Sequence, residues 1–163
     1  MNKKVVVLAD PTSIHTKKWI QGWKLIGYKT ILSGLSDKIS DNKLIFNEEI
    51  SSTGGNAFKY IKNIFNFNRV IKKEKPYIIN AHYMSSYGLI SSLIKKQNNI
   101  MVLFLPGSDI MIDMNKHIIY LIMTKYILKK SDIIVSVSDT MTKKILILLQ
   151  IDNGNQIQIM KLY

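Results

Sequence analysis

The strongest constraint on the fold is a repeated alternation of short apolar segments with longer helical ones. Residues 4–9, 100–105 and 133–137 are almost continuously apolar, as in strands that are buried on both faces. Further strands are predicted at residues 28–33, 77–81 and 156–160, and a weaker one at residues 43–46. Helical patterns between them end at residue 27 or cover residues 56–75, 86–96, 115–130 and 140–149. The sequence therefore predicts an α/β fold, a Rossmann-like parallel sheet of six or seven strands with helices on both faces.

The length and the residue types limit the kind of protein this can be. A chain of 163 residues fits one domain, spanning residues 1–163. It has no cysteine, which excludes disulfides, thiolate metal sites and cysteine nucleophiles. Its three histidines have no metal-ligand spacing, so we expect neither a metal nor a cofactor. No targeting segment is visible, and we expect a cytoplasmic protein.

The charge is strongly positive and is carried almost entirely by lysine. The formal net charge is +12, from 23 basic and 11 acidic residues, and Arg69 is the one arginine. Proteins that read nucleic acid normally use arginine, because its planar group contacts guanine and phosphate through two hydrogen bonds. We therefore expect an anionic membrane surface or a phosphorylated ligand as the partner, and no nucleic acid.

The candidate functional residues follow the predicted strands, because ligands of parallel sheets bind at the carboxyl ends of the strands. In the first loop, Thr12 and Ser13 precede a helix whose amides could hold an anion, or they simply cap that helix. His15, in the first helical turn, is either a ligand group or a surface residue. Ser138 follows a later strand in the same way.

The second and third loops carry the chemistry expected of a sugar site. Residues 82–88 gather an imidazole, hydroxyls and aromatic rings, with His82, Tyr83 and Tyr87 as the main candidates. The alternative is that the two tyrosines are core rings at helical spacing. In the third loop, Gly107, Ser108 and Asp109 offer a close backbone approach and an acceptor-rich edge, or only a turn that starts a helix. His117 lies in an apolar helix and is interpreted as structural.

The sequence does not identify catalytic residues. It lacks the glycine-rich fingerprints of dinucleotide sites and P-loops, and it lacks the serine elbow of hydrolases. Its three glutamates, at positions 48, 49 and 74, do not form an acid–base pair. On its own the chain carries half of an active site.

Four motifs of the sequence, taken together and in order, resemble the motifs of a known protein family. They are Ala9-Asp10 with residues 13–19, Asn80-Ala81-His82-Tyr83 with Tyr87-Gly88-Leu89, Gly107-Ser108-Asp109-Ile110, and the segment 131–138. The sequence resembles the N-terminal domain of GT-B glycosyltransferases of the family-four, glycogen-synthase-like retaining group. The resemblance covers the whole chain, although Pro106 stands where the family often has His or Trp.

The resemblance implies a transferase that uses a nucleotide sugar, of the hexosyltransferase type, in bacterial polysaccharide or glycolipid synthesis. His82, Tyr83 and Tyr87 would bind a sugar or lipid-linked sugar acceptor. Ser13, His15, Gly107, Ser108, Asp109 and Ser138 would line an interdomain cleft. The family's donor-binding C-terminal domain, with its paired glutamates, is absent from these 163 residues, so we expect the chain alone to be inactive. The alternative is a non-enzymatic flavodoxin-like or receiver-type domain, for which Asp10 alone is a poor match.

A peripheral position at the inner face of the membrane is a further hypothesis. The helix over residues 56–75 interleaves aromatic and basic residues. Helical periodicity predicts a core face with Phe58, Ile61, Ile64 and Phe65, and it puts Tyr60 and Phe67 nearer the basic side. That basic side would contact anionic headgroups, or it would simply be solvated.

Overall fold

The predicted parallel sheet is confirmed by a computed structural model that describes residues 3–34, 57–107, 118–149 and 157–161. Its strands are β1 (Lys4–Leu8), β2 (Lys29–Ser33), β3 (Ile78–His82), β4 (Ile100–Leu105), β5 (Ile133–Ser136) and β6 (Gln158–Lys161). All neighbouring pairs are parallel, and the order across the sheet is β2-β1-β3-β4-β5-β6. The extra strand predicted at residues 43–46, and the helix start at Asn56, lie outside the described residues.

Five α-helices and one π-helix connect the strands within the described ranges. The α-helices are α1 (Ile14–Leu25), α2 (Ala57–Glu74), α3 (Leu89–Ile94), α4 (Ile118–Lys130) and α5 (Asp139–Leu149). The π-helix covers Tyr83–Gly88, directly after β3, where the sequence predicted a loop followed by a helix from about residue 86. The prediction of a loop was wrong because Tyr83 adopts a left-handed φ of 69° and turns the chain into a helix at once.

The described helices cover the two faces of the sheet unequally. From β1 to β2 the chain moves across the sheet in one direction, and from β2 to β6 it moves in the opposite direction. Because crossovers between parallel strands are right-handed, the helices of these two parts of the chain lie on opposite faces of the sheet. Helices α2 to α5 accordingly pack on the face that includes Val6 and Leu8. Of the described helices, α1 alone packs on the face that includes Val5 and Val7.

Helix α1 is fixed to the sheet at both its side and its end. The Trp23 indole donates a hydrogen bond to the buried Asn80 side chain at 3.0 Å, and the Asn80 amide donates to the Val102 carbonyl. At the helix end Gly27 takes a φ of 84°, and the amides of Gly27 and Tyr28 bond back to Lys24 and Trp23. This is a Schellman motif, which stops the helix and sends the chain into β2.

The predicted orientation of α2 was wrong. Phe67, Val70 and Ile71 are buried against the sheet, whereas Ile61 and Phe65 are exposed. The helix has apolar residues on two faces. The face that packs on the sheet is the one with fewer lysines at its centre. The side chains of Phe58 and Tyr60 lie outside the described part of the chain. None of the helices in the described ranges is long and apolar enough to cross a membrane.

Candidate functional site

The loops singled out from the sequence lie side by side at the carboxyl edge of the sheet. Leu8 pairs with Ala81, His82 with Phe104 and Leu105 with Ser136, so the chain leaves four adjacent strands at the same level. The prediction of one shared edge is confirmed for the described loops. The sheet reverses its order between β1 and β3, and such a reversal is where open parallel sheets bind ligands. Ser108, Asp109 and His117 lie outside the described residues.

The loop after β1 is held by a compact turn. The Asp10 carboxylate accepts hydrogen bonds from the Thr12 amide at 2.8 Å and from the Thr12 hydroxyl at 2.7 Å. Ser13 occupies the N-cap position of α1 with extended backbone, yet its side chain makes no capping hydrogen bond. Any Cβ at Gly34, next to the end of β2, would lie 2.6 Å from the Pro11 ring, so the two loops are tightly packed. Asp10 therefore orders the loop, and the Ser13 hydroxyl is not used to cap the helix.

His82 ends β3 and is enclosed by aromatic rings. Its ring lies 5.0 Å from that of Phe104 and 5.8 Å from that of Trp19, and 1% of the residue is exposed. Burial, with a smaller contribution from the nearby His15, lowers the pKa of His82 to about 3. The imidazole is therefore neutral near pH 7, and its buried Nε2 has no hydrogen-bond partner among the described residues.

The two candidate tyrosines differ in environment. Tyr83 is half-buried at the start of the π-helix, where its left-handed backbone is unusual for a residue with a side chain. Tyr87 is buried and packs edge-on against Phe67, with ring centres 6.5 Å apart. The packing of Tyr87 fits the alternative of a core ring. A Cβ at Gly88 would lie 2.7 Å from the Tyr83 carbonyl oxygen, so only glycine lets this turn close.

The loops after β4 and β5 use their candidates differently. Gly107 has a φ of 134°, which favours glycine, and it faces Met141 and Val137 without close contact. Ser138 caps α5, since its hydroxyl accepts a hydrogen bond from the Met141 amide at 3.3 Å. The Ser138 hydroxyl therefore has a structural role in addition to its place at the edge.

A groove that sequence reasoning did not identify runs along α1. It has a volume of about 560 Å³, and its walls include His15, Lys18, Trp19, Trp23, Phe104 and Val137. Trp19 and Trp23 stand four residues apart, which puts both rings on one side of the helix. That spacing is visible in the sequence, but the partner Phe104 is distant in the chain.

Buried polar atoms without partners concentrate near this edge. Within the described residues they are Thr16 Oγ1, Ser33 Oγ, His82 Nε2 and Ser91 Oγ. Thr16 is in the first half of α1, and Ser33 and His82 end their strands. Unpaired buried polar groups are rare in folded proteins and often mark functional regions. Across the same residues, no group of three or more metal-binding side chains is found.

Comparison with protein families gives the decisive observation. A family described as "Glycosyl transferase 4-like" matches residues 4–138, which is most of the chain. The chain belongs to the glycosyl transferase 4-like family. Flavodoxin-like proteins have the same order over their first five strands. The strand order alone therefore does not distinguish a flavodoxin-like domain from a glycosyltransferase domain. A search of curated proteins found no match.

Solved structures of other proteins share the fold of this glycosyl transferase 4-like domain. UDP-N-acetylglucosamine 2-epimerase from Rickettsia bellii is 15% identical with a TM-score of 0.73, covering 99% of this chain and 44% of that one. The UDP-GlcNAc 2-epimerase from Methanocaldococcus jannaschii, in complex with UDP-GlcNAc and UDP, is 14% identical with a TM-score of 0.70, covering 99% and 46%. Sucrose-phosphate synthase from Thermosynechococcus elongatus is 12% identical with a TM-score of 0.68, covering 96% and 47%.

These matches confirm the resemblance to the N-terminal domain of GT-B glycosyltransferases. The chain spans less than half the length of the proteins just compared. The six parallel strands of this chain form the Rossmann-like sheet that the resemblance implied.

Proposed function

We propose that this domain binds the acceptor in a nucleotide-sugar-dependent hexosyltransferase of bacterial polysaccharide or glycolipid synthesis. One observation carries the proposal: the region that matches the glycosyl transferase 4-like family, residues 4–138, brings the candidate loops to one edge of the sheet. The acceptor is a sugar or a lipid-linked sugar. Such an enzyme works in the cytoplasm, at the inner face of the membrane when its acceptor is anchored there.

The edge offers the groups that a saccharide needs. Ser13 contributes a hydroxyl that does not cap its helix, and Tyr83 contributes a half-buried phenol. Gly107 lets the backbone approach a ligand closely. The indole rings of the groove along α1 supply apolar faces, against which the carbon–hydrogen faces of a sugar can pack. His82, neutral and buried behind these groups, fixes Trp19 and Phe104 in place.

We propose that the nucleotide sugar is held by a second domain. Transfer of a glycosyl group requires cations and helix amides aimed at the departing diphosphate, and it requires that the cleft close to exclude water. Among the residues that the structure describes, no Arg–Lys clamp faces the carboxyl edge. Ser13, His15, Gly107 and Ser138 would face the donor across the cleft, together with Ser108 and Asp109. The 163-residue chain alone is then inactive.

Two measurements on the chain test these assignments separately. Calorimetry with UDP- and GDP-sugars should show no binding tighter than the millimolar range, worth roughly 4 kcal/mol. Micromolar binding or turnover would overturn the assignment of the donor to another domain. NMR titration with oligosaccharide acceptors should shift the amides of His82, Tyr83 and Tyr87. Shifts confined to other regions would contradict the acceptor role.

A further inference from the structure

The amino-end pole of the sheet, opposite the candidate site, has a marked excess of positive charge. In a parallel α/β fold the carboxyl ends of the helices and the amino ends of the strands meet at the same edge. The helix ends bring exposed lysines to this pole: Lys24 on α1, Lys72 and Lys73 on α2, and Lys129 and Lys130 on α4. A lysine at the carboxyl end of a helix is stabilised by the helix dipole, and this effect accounts for the position of each of these lysines taken alone.

The turns and strand starts add further exposed lysines to the same pole. They are Lys3, Lys29, Lys75 and Lys96. Backbone hydrogen bonds place these segments side by side, since the Lys29 amide bonds to Lys3 and the Tyr77 amide bonds to Lys4. A position at the end of a helix does not explain Lys3 and Lys29, because Lys3 precedes strand β1 and Lys29 begins strand β2.

In the described parts of the chain, few acidic residues accompany these lysines. Within the described parts of the chain, the acidic side chains at the pole are Glu74 and Asp132. Glu74 pairs with Lys4 at 3.3 Å, and Asp132 pairs with Lys95 at 2.6 Å. Each of these two carboxylates thus forms a salt bridge with a lysine outside the exposed set.

Large exposed apolar side chains also lie at this pole, at the end of α1. Leu25, the last residue of α1, is 87% exposed, and Ile26, in the turn that the Schellman motif closes, is 64% exposed. Lys24 and Lys29 flank them in sequence. Tyr77, which directly precedes β3, is half exposed and lies two residues after Lys75. Exposed apolar residues together with lysines are typical of surfaces that lie in the headgroup region of a bilayer.

We propose that this amino-end pole docks on an anionic lipid bilayer, with Leu25 and Ile26 inserted among the headgroups. Lysines attract the lipid phosphates electrostatically, and inserted apolar side chains add area removed from water. A nucleic acid is a poorer fit, because the pole carries lysine and a nucleic-acid surface favours arginine. The inference goes beyond the proposed function and does not depend on it.

The proposed orientation turns the candidate site away from the bilayer. A strand of five or six residues is about 17–20 Å long, which separates the docked pole from the carboxyl edge. The apolar groove along α1 begins beside Ile26 at the pole and reaches His15 and Phe104 at the edge. A lipid-linked acceptor would follow this groove to reach the site.

Vesicle co-sedimentation of the full chain tests the charged part of the surface. The probes are phosphatidylcholine vesicles with and without phosphatidylglycerol, at low salt and at about 0.15 M salt. We expect binding to the anionic vesicles, weaker at the higher salt. The triple variant K24Q/K29Q/K72Q should bind roughly a hundredfold more weakly, about fivefold for each lysine. The control K17Q/K143Q/K144Q removes the same charge elsewhere and should bind nearly as the parent does.

A second pair of variants tests the apolar part. L25S/I26S should weaken vesicle binding about tenfold or more, whereas I147S, at an exposed position of α5, should not. Circular dichroism and thermal melting check that each variant is folded. Equal binding to neutral and anionic vesicles, or equal losses in the variants and their controls, would overturn the proposal. Tighter binding of a single-stranded RNA than of the anionic vesicles, lost in K24Q/K29Q/K72Q, would instead assign the pole to nucleic acid.

Discussion

His82 combines two properties that rarely occur together in one histidine. It is almost fully buried, and it ends a strand at the edge where the candidate ligand groups meet. Trp19 and Phe104 exclude water from its ring, which makes the charged form costly. A neutral imidazole in this position keeps the aromatic wall of the groove packed, and protonation would disturb it.

The first prediction concerns the pH dependence of stability. The folded pKa of His82 is about 3, below the ordinary value of 6.5. Between these values the unfolded chain binds a proton that the folded chain does not. His82 therefore contributes stability that is present above pH 6.5 and is lost as pH falls, with a limiting slope of roughly 1.4 kcal/mol per pH unit.

Urea denaturation of the chain between pH 7 and pH 5 measures this slope. The variant H82Q should be less stable at pH 7 but should lose less stability on acidification. The control H15Q changes an exposed histidine and should keep the steeper slope. A slope that is the same in H82Q and in the parent chain would show that His82 titrates normally in the folded state.

At the scale of the elements, α1 and α5 begin alike in sequence but not in structure. Each helix follows a strand and has a serine at its N-cap position, Ser13 or Ser138. Ser138 accepts a hydrogen bond from the Met141 amide, whereas the Ser13 side chain makes no capping bond. The turn at Asp10 and Thr12 already orders the entry to α1. Ser13 can therefore serve a ligand without weakening its helix.

The second prediction follows from this difference. S138A should lower the free energy of unfolding by about 1 kcal/mol, because the capping bond is lost. S13A should change it by a few tenths of a kcal/mol at most. Denaturation of both variants under the same conditions measures the two values. An equal loss in S13A would mean that its hydroxyl caps α1 in solution and is not reserved for a ligand.

At the scale of the whole molecule, the core is centred on β1, β3 and β4. Every residue of β3 is buried, whereas in β6 exposed and half-buried residues alternate. The edge strand β6 is held on one side by β5, and its Lys161 forms a salt bridge with Asp139 at 2.7 Å. Asp139 is fully exposed, so this salt bridge adds little to the stability of the edge.

The third prediction is a gradient of hydrogen exchange across the sheet. Amides of β3 should exchange only through global unfolding, and amides of β6 should exchange much faster through local opening. Exchange followed by mass spectrometry or NMR at several denaturant concentrations separates the two mechanisms. If β6 were as protected as β3, the sheet would unfold as one unit and its edge would be better covered than the described residues indicate.

The sequence by itself determined the class of the fold and the edge that carries the site. A strand buried on both faces needs a continuous apolar run, such as residues 100–105, and this local signature survives without knowledge of its neighbours. Parallel strands then place every following loop at one edge, so the grouping of Ser13, His82 and Gly107 also followed from the sequence. The family resemblance depended on the same residues.

The tertiary structure alone decided which side chains are buried at that edge and beneath it. Helix α2 has apolar residues on two faces, and contact with the sheet, not periodicity, made Phe67 the core residue and left Phe65 exposed. The enclosure of His82 depends on Trp19 and Phe104, which come from distant parts of the chain. Burial and the pKa of a side chain are set by such non-local neighbours, and no local pattern in the sequence encodes them.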